Sequence, residues 1–202
     1  MKDFGFYLVI TNPVVGYARC AEAAVRAGVR IVQLRMKHAA REDILREARE
    51  MRRVTRGTDT LFIVNDDPAL AAEAEADGVH VGQDDMSPVE VRAKFPQLKV
   101  VGLSTHNLDQ VRASWDQPID YIGVGPVYAT PTKDIPDPTL GPEMAGRMIA
   151  AARVPAVAIG GINAETLPPV LAAGARNFAV VRAVCQSQDP YSAICKLLEI
   201  HA

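Results

Sequence analysis

The sequence predicts a parallel (β/α)8 (TIM) barrel spanning residues 1–202 as a single unit, on three observations. Eight short apolar runs alternate with helical stretches. The helical stretches run ~10–15 residues, as parallel crossovers require. Most of the apolar runs end in a polar or glycine cluster, and barrels build their sites at strand C-terminal ends. A doubly wound open sheet is the competing fold, but it gathers ligand groups at one switch point rather than at many strand ends.

The expected strands are Phe6–Thr11, Val29–Leu34, Leu61–Asn65, Gly78–Val81, Lys99–Leu103, Ile119–Val124, Ala156–Ile159 and Asn177–Val181. The first expected helix, Ala18–Ala27, stops at Gly28, a residue suited to a left-handed C-terminal cap. Arg41–Arg56 stops at Gly57, and Pro68–Ala76 leads to Gly78. Pro88–Phe95 has Ser87 as N-cap, Pro88 in the first turn and Glu90 as capping-box partner. Asn107–Ser114, Pro142–Ala151 and Ala164–Ala173 follow, the last closed by Gly174. Asp189–Ile200 ends the chain, with Asp189 as cap. The long connection Gly125–Gly141 carries four prolines, and a loop of that length in a compact domain is usually functional.

Bulk properties narrow the function classes. The 202 residues carry 22 basic and 24 acidic side chains, a net charge of −2. That balance lacks the basic excess of nucleic-acid or anionic-membrane binders. No uncharged apolar stretch approaches the ~18 residues of a membrane span. Met1-Lys2-Asp3-Phe4-Gly5 runs straight into a strand, without the apolar region of a signal peptide. Three cysteines with no CxxC spacing give no disulfide framework or zinc site, and Cys185 and Cys195 read as small hydrophobes. A cytoplasmic location is expected.

The strand-end clusters carry the chemistry. Gln33, Arg35 and Lys37 share one strand face, while Leu34 and Met36 point away. Polar groups on a barrel's inward face belong at its open mouth, near an anion. The plainer account pairs them with neighbouring carboxylates. Asp66 and Asp85 follow adjacent strands and could flank one Mg2+, which takes one or two carboxylates plus phosphate oxygens and water. Asp67 is a good cap for the helix at Pro68, which leaves Asp66 for the mouth; Asp84 or Asp85 could equally serve a turn. Thr130, Thr132 and Lys133 offer two hydroxyls and an ammonium to a phosphate or a leaving pyrophosphate. Gly160-Gly161 lets backbone N–H groups approach an oxyanion, at the strand-7 position where barrels often bind phosphate; Val181-Arg182 would complete that site. His80 reads as a packed, hydrogen-bonded barrel histidine, and His106 could reach the mouth. Trp115 reads as packing, and Arg46, Arg49, Arg52 and Arg53 as a solvated helix face.

The set and order of these motifs resemble the thiamine-phosphate synthase family. They are Gln33-Leu34-Arg35-x-Lys37, Asn65-Asp66, Gly78-Val79-His80-Val81-Gly82-Gln83-x-Asp85, Gly102-x-Ser104-x-His106, Asp120-Tyr121-x-x-x-Gly125-Pro126 with Thr130-x-Thr132-Lys133, and Ala158-Ile159-Gly160-Gly161-Ile162. The resemblance implies a transferase joining hydroxymethylpyrimidine pyrophosphate to hydroxyethylthiazole phosphate, or its carboxylated form, by a dissociative, magnesium-assisted route. It implies that Gln33, Arg35, Lys37, Asn65, Ser104 and Lys133 bind the pyrimidine pyrophosphate. Of these, Arg35, Lys37, Ser104 and Lys133 serve the chemical step. Asp66 and Asp85 would hold magnesium. Thr130, Thr132, Gly161, Val181 and Arg182 would take the thiazole phosphate. Met36 stands where an acidic residue is frequent, Arg182 where serine is common, and Arg176-Asn177 where Asp-Gly is frequent. A thiazole tautomerase using His106, a non-catalytic phosphate-binding barrel and a sugar-phosphate isomerase are the alternatives. The expected partners are small phosphorylated substrates, and a homodimer is compatible with the sequence.

Overall fold

The structure, a computed structural model, describes residues 2–131 and 138–201. Eight parallel strands close into a barrel in sequence order: β1 (Phe6–Ile10), β2 (Ile31–Leu34), β3 (Leu61–Asn65), β4 (Gly78–Val81), β5 (Val100–Thr105), β6 (Tyr121–Val124), β7 (Ala156–Ile159) and β8 (Asn177–Val180). The helices are α1 (Tyr17–Arg26), α2 (Arg41–Thr55), α3 (Pro68–Glu73), α4 (Pro88–Lys94), α5 (Leu108–Ala113), α6 (Gly141–Ala151), α7 (Leu167–Ala172), α8 (Arg182–Cys185) and α9 (Pro190–His201). The barrel is therefore as the sequence predicts, with one added element. The short α8 follows β8 directly, where the sequence reading ended a strand. No described helix is long and apolar enough to cross a membrane.

Local chemistry accounts for the boundaries. Asp67 Oδ1 accepts from Leu70 N at 2.8 Å and opens α3. Ser87 and Glu90 form the expected capping box of α4. Asn107 and Asp189 cap α5 and α9 through Gln110 N and Ser192 N. Two helices stop short of expectation. Glu75, at φ 54°, turns the chain after α3, and Gly78 opens β4 as expected. The first turn expected before Leu167 is replaced by a side-chain turn. There Asn163 Oδ1 accepts from Glu165 N and Thr166 N, and Thr166 Oγ1 donates to the Gly161 carbonyl.

Side-chain alternation divides the apolar residues into two sets. Phe6, Leu8, Val32, Phe62, Val79, Val101 and Phe178 face outward onto helix residues such as Ala48, Met51, Leu70, Met148 and Leu197. Tyr7, Val9, Ile31, Ile63, Val100, Tyr121, Val157 and Ala179 form a second cluster inside the barrel. Each fully buried large side chain contributes roughly 1.5–3 kcal/mol, so the outer set supplies most of the driving force. Met36 packs against the outer set, as its parity predicts.

Clasps join neighbouring strands at the N-terminal end of the barrel. Asp77, before β4, accepts from Phe62 N at 2.8 Å and from Arg52 Nη1 at 3.0 Å. Asp120, before β6, accepts from Val101 N at 2.7 Å and from Arg92 Nη2 at 2.6 Å. Asn177, opening β8, accepts from Phe4 N and Gly5 N, while its Nδ2 donates to Asp3 Oδ1 and the Ala156 carbonyl. Asn177 thus stabilises the turn that the departure Arg176-Asn177 put in question. Arg52 is half-buried in a clasp and is no part of a solvated face; Arg46, Arg49 and Arg53 are exposed, as expected. Trp115 donates to the Ala151 carbonyl and stacks under Arg153, in keeping with a packing role. Replacing Asp120 with Ala is expected to cost about 1–3 kcal/mol, because it strands both a strand-end N–H and a guanidinium. Urea unfolding should report that loss, and a midpoint equal to wild type would discount the clasp.

Candidate active site

A cavity of about 480 Å3 opens at the C-terminal end of the strands and reaches into the barrel. Gln33, Arg35, Asn65, Ser104, Thr130, Gly161, Val181 and Arg182 all line it, so these sequence-predicted positions converge on one space. Lys37, Asp66 and Asp85 are not among its lining residues; they cluster with one another beside it. Thr132 and Lys133 lie outside the described residues.

The carboxylate cluster has a clear electrostatic character. Lys37 Nζ donates to Asp66 Oδ2. Gly82 N donates to Asp85 Oδ2 at 2.7 Å. Asp85 sits within hydrogen-bonding reach of Asp66, and its carboxyl is pushed above the ordinary carboxylate range. Burial is the largest cause, and the negative charge of Asp66 adds to it, while the Gly82 N–H and Lys37 pull the other way. Asp66 itself sits at φ 65°, an uncommon conformation for a non-glycine residue, which stations its carboxylate directly after β3. Two hard oxygen donors held against their mutual repulsion suit a cation that keeps water and phosphate oxygens as its other ligands, the habit of magnesium. Among the described residues no cluster of three or more His, Cys, Asp or Glu side chains offers a fuller cage.

The opposite side of the mouth is built from backbone. Gly160 and Gly161 take φ of 105° and 66°, which L side chains rarely adopt. A Cβ on Gly161 would lie 2.7 Å from Tyr128 Cβ and 2.9 Å from the Ala129 carbonyl oxygen. The pair therefore lets the segment after β6 lie directly over the end of β7. Arg182 is exposed, opens α8 and lines the cavity. Gly161→Ala is expected to lower the thermal midpoint by several degrees, from backbone strain and contact with Tyr128. An unchanged midpoint would show that the segment after β6 can yield.

The cavity floor holds a feature that motif reading missed. Gln33 Nε2 donates to Tyr7 Oη at 2.6 Å. The Tyr7 and Tyr121 hydroxyls are hydrogen-bonded at 2.9 Å. Tyr121 Oη bonds His80 Nδ1 at 3.0 Å, and His80 Nε2 bonds Ser104 Oγ at 2.9 Å. This chain runs from β2 through β1, β6 and β4 to β5, across the barrel interior. Burial pushes both phenols well above their ordinary range, so both keep their protons. His80 is thus the packed, hydrogen-bonded histidine expected, and also a cavity wall. Tyr7 and Tyr121 were findable as polar-tipped residues at inward positions of apolar strands. His106 lines the cavity with Nδ1 bonded to the Gly125 carbonyl at 2.6 Å. Cys20 and Cys185 are buried thiols pushed up to about 12 and about 11 by desolvation, which leaves them inert at neutral pH.

Fold and rim together define a (β/α)8 barrel with a polar, glycine-edged pocket at the strand ends and an acidic pair beside it. The sequence profile described as thiamine monophosphate synthase matches residues 6–184. The chain belongs to that family. It is 45% identical over 179 residues to the thiamine-phosphate synthase of Synechococcus sp. strain WH7803, covering 89% of this chain and 50% of that protein. It is 36% identical over 202 residues to the thiamine-phosphate synthase of Archaeoglobus fulgidus, covering 99% of this chain and 95% of that one. The chain thus spans about half the length of the cyanobacterial relatives it matches, and nearly all of the archaeal one. A solved thiamine phosphate pyrophosphorylase from Pyrococcus furiosus superposes with a TM-score of 0.88 at 28% identity, covering 98% of this chain and 96% of that one. A 3-hexulose-6-phosphate synthase, at 20% identity and a TM-score of 0.71, shares the fold.

Proposed function

We propose that this chain, as one barrel unit of residues 1–202, joins hydroxymethylpyrimidine pyrophosphate to hydroxyethylthiazole phosphate or its carboxylated form. The products would be thiamine phosphate and pyrophosphate. The observation that carries the reading is the division of the rim. Arg35, Asn65 and Ser104 line the cavity on the side of the Lys37–Asp66–Asp85 cluster, and Gly161, Val181 and Arg182 line it on the other. One side suits a pyrophosphate and the other a monophosphate, which a two-phosphate joining reaction needs.

The chemistry asks little of a general base. Pyrophosphate departure leaves a resonance-stabilised pyrimidine-methyl cation, which the thiazole nitrogen captures. Arg35, Lys37 and Lys133 would hold the leaving group by charge-assisted hydrogen bonds, and Asn65 would orient it. Asp66 and Asp85 would hold magnesium, which when bound supplies positive charge to the departing pyrophosphate. Gln33 and Ser104 would fix the pyrimidine, while Thr130, Thr132 and the glycine edge fix the thiazole phosphate. Alignment of two bound substrates replaces a bimolecular encounter and supplies much of the acceleration. Free thiols, two of them buried, suit a cytoplasmic setting.

Purified chain, magnesium and both substrates should yield thiamine phosphate. Absence of product with both substrates shown to bind would sink the reading. Lys133→Ala is expected to cut kcat at least about a hundredfold, as for loss of an electrostatic donor to a developing anion, and to leave the far-UV circular dichroism unchanged. Wild-type turnover would remove Lys133 from the site.

A further inference from the structure

We propose that Tyr7, Tyr121 and His80 are positioning residues that give the cavity a fixed hydrogen-bond polarity, with Ser104 as donor at one end and the Gln33 carbonyl as acceptor at the other. The argument is a count of hydrogens. Gln33 Nε2 donates to Tyr7, which is buried and protonated. Tyr7 Oη has no hydrogen-bond partner among the described residues besides Gln33 and Tyr121. Its own hydrogen therefore finds an acceptor only in Tyr121 Oη. A buried hydroxyl hydrogen left without an acceptor costs roughly 1–3 kcal/mol, which selects this direction.

The direction propagates. Tyr121, having accepted from Tyr7, sends its own hydrogen to His80 Nδ1. A neutral imidazole that accepts at Nδ1 carries its proton at Nε2. His80 Nε2–H then donates to Ser104 Oγ. The Ser104 hydroxyl, its oxygen already accepting, keeps its hydrogen for the cavity that it lines. At the far end Gln33 lines the same cavity, and its Oε1 accepts no hydrogen bond among the described residues. Gly102 makes the crossing sterically feasible: a Cβ there would lie 2.2 Å from Tyr121 Cζ and 2.6 Å from His80 Nδ1.

A donor and an acceptor fixed by protonated phenols select a flat ligand that presents both kinds of group. An amino-substituted nitrogen heterocycle does so, its ring nitrogens accepting and its exocyclic amine donating. This ligand assignment rests on the synthase reading; the polarity of the chain does not.

The test is the tautomer of His80 in the full chain without substrates, read by 15N NMR, with His80→Gln assigning the resonances. The expected form has the proton on Nε2. A proton on Nδ1 would overturn the proposal whatever the activity. Tyr121→Phe removes the donor to Nδ1 and is expected to abolish the preference for Nε2–H. It should raise KM for the pyrimidine pyrophosphate about tenfold, the scale of one neutral hydrogen bond, with KM for the thiazole phosphate unchanged. Tyr7→Phe leaves Tyr121 donating to His80 and is expected to keep the tautomer. Equal loss of the tautomer in both variants would indicate packing alone and overturn the proposal. An inactive chain with His80 in the Nε2–H form would overturn the synthase reading and support the polarity.

Discussion

Asp85→Asn is expected to abolish magnesium-dependent turnover while leaving the metal-free chain at least as stable as wild type at neutral pH. The two effects share one cause. Asp85 is held above the ordinary carboxylate range, first by burial and then by the charge of Asp66. A carboxyl with a raised folded-state value prefers its proton in the folded chain. Its contribution to stability is therefore present below the unfolded value and lost as pH rises through the folded one. At pH 7 the ionised Asp85 works against the fold. Its exposure limits that penalty to well under about 1 kcal/mol. Asparagine removes the charge, and its side-chain oxygen can still accept from Gly82. Turnover, by contrast, should fall at least about a hundredfold, the scale on which removing a group that stabilises transition-state charge is felt. The same shift predicts that apparent magnesium affinity weakens toward acid at a pH above the ordinary carboxylate range, since the ligand must be ionised. Paired thermal melts and magnesium titrations check both. Wild-type magnesium dependence in the variant would remove Asp85 from the proposed site.

Gly102→Ala is expected to be strongly destabilising. The added Cβ would lie 2.2 Å from Tyr121 Cζ, 2.5 Å from its hydroxyl and 2.6 Å from His80 Nδ1. Neither ring has room to retreat. Tyr121 is fully buried, flanked edge-on by Phe4 and Tyr7, and stacked on His80. Overpacking of this kind typically costs 1–3 kcal/mol, and breaking two buried hydrogen bonds adds to it, for a total of roughly 3–5 kcal/mol. Denaturant unfolding gives the number. A loss below about 1 kcal/mol would mean that the rings can move, and that the chain of hydroxyls is less rigid than its geometry implies.

Much of this was legible in the sequence. β3, β4 and β7 fall on their predicted bounds because each is a short apolar run closed by a polar or glycine residue. The caps of α3, α4 and α9 were readable because capping is local chemistry, whereas Asn107, read as the first residue of its helix, is the cap of α5. β2 begins two residues late, since Val29 N closes the turn after α1 onto the Ala24 carbonyl rather than joining a ladder. α8 was missed because Arg182-Ala-Val-Cys185 is too short to show a helical period. At the site, inward parity brought Gln33 and Arg35 to the cavity, while Lys37, placed on the same face, lies beside it with Asp66. Parity could not show that Tyr7 and Tyr121, 114 residues apart, touch through their hydroxyls. Nor could it separate Asp77 and Asp120 from ordinary turn acids, because their partners lie on other strands. Local signals are written in adjacent residues, whereas these contacts exist only once the barrel has closed.

The clasps at Asp77, Asp120 and Asn177 tie β4 to β3, β6 to β5, and β8 to the segment that opens β1. All three stand at the end of the barrel opposite the cavity mouth. The barrel is thereby cinched into pairs at its closed end, like staves hooped at the base. Variation at the mouth then has little leverage over the closure of the staves. A rim so decoupled from its hoop can exchange side chains and test new ligands while the vessel stays shut.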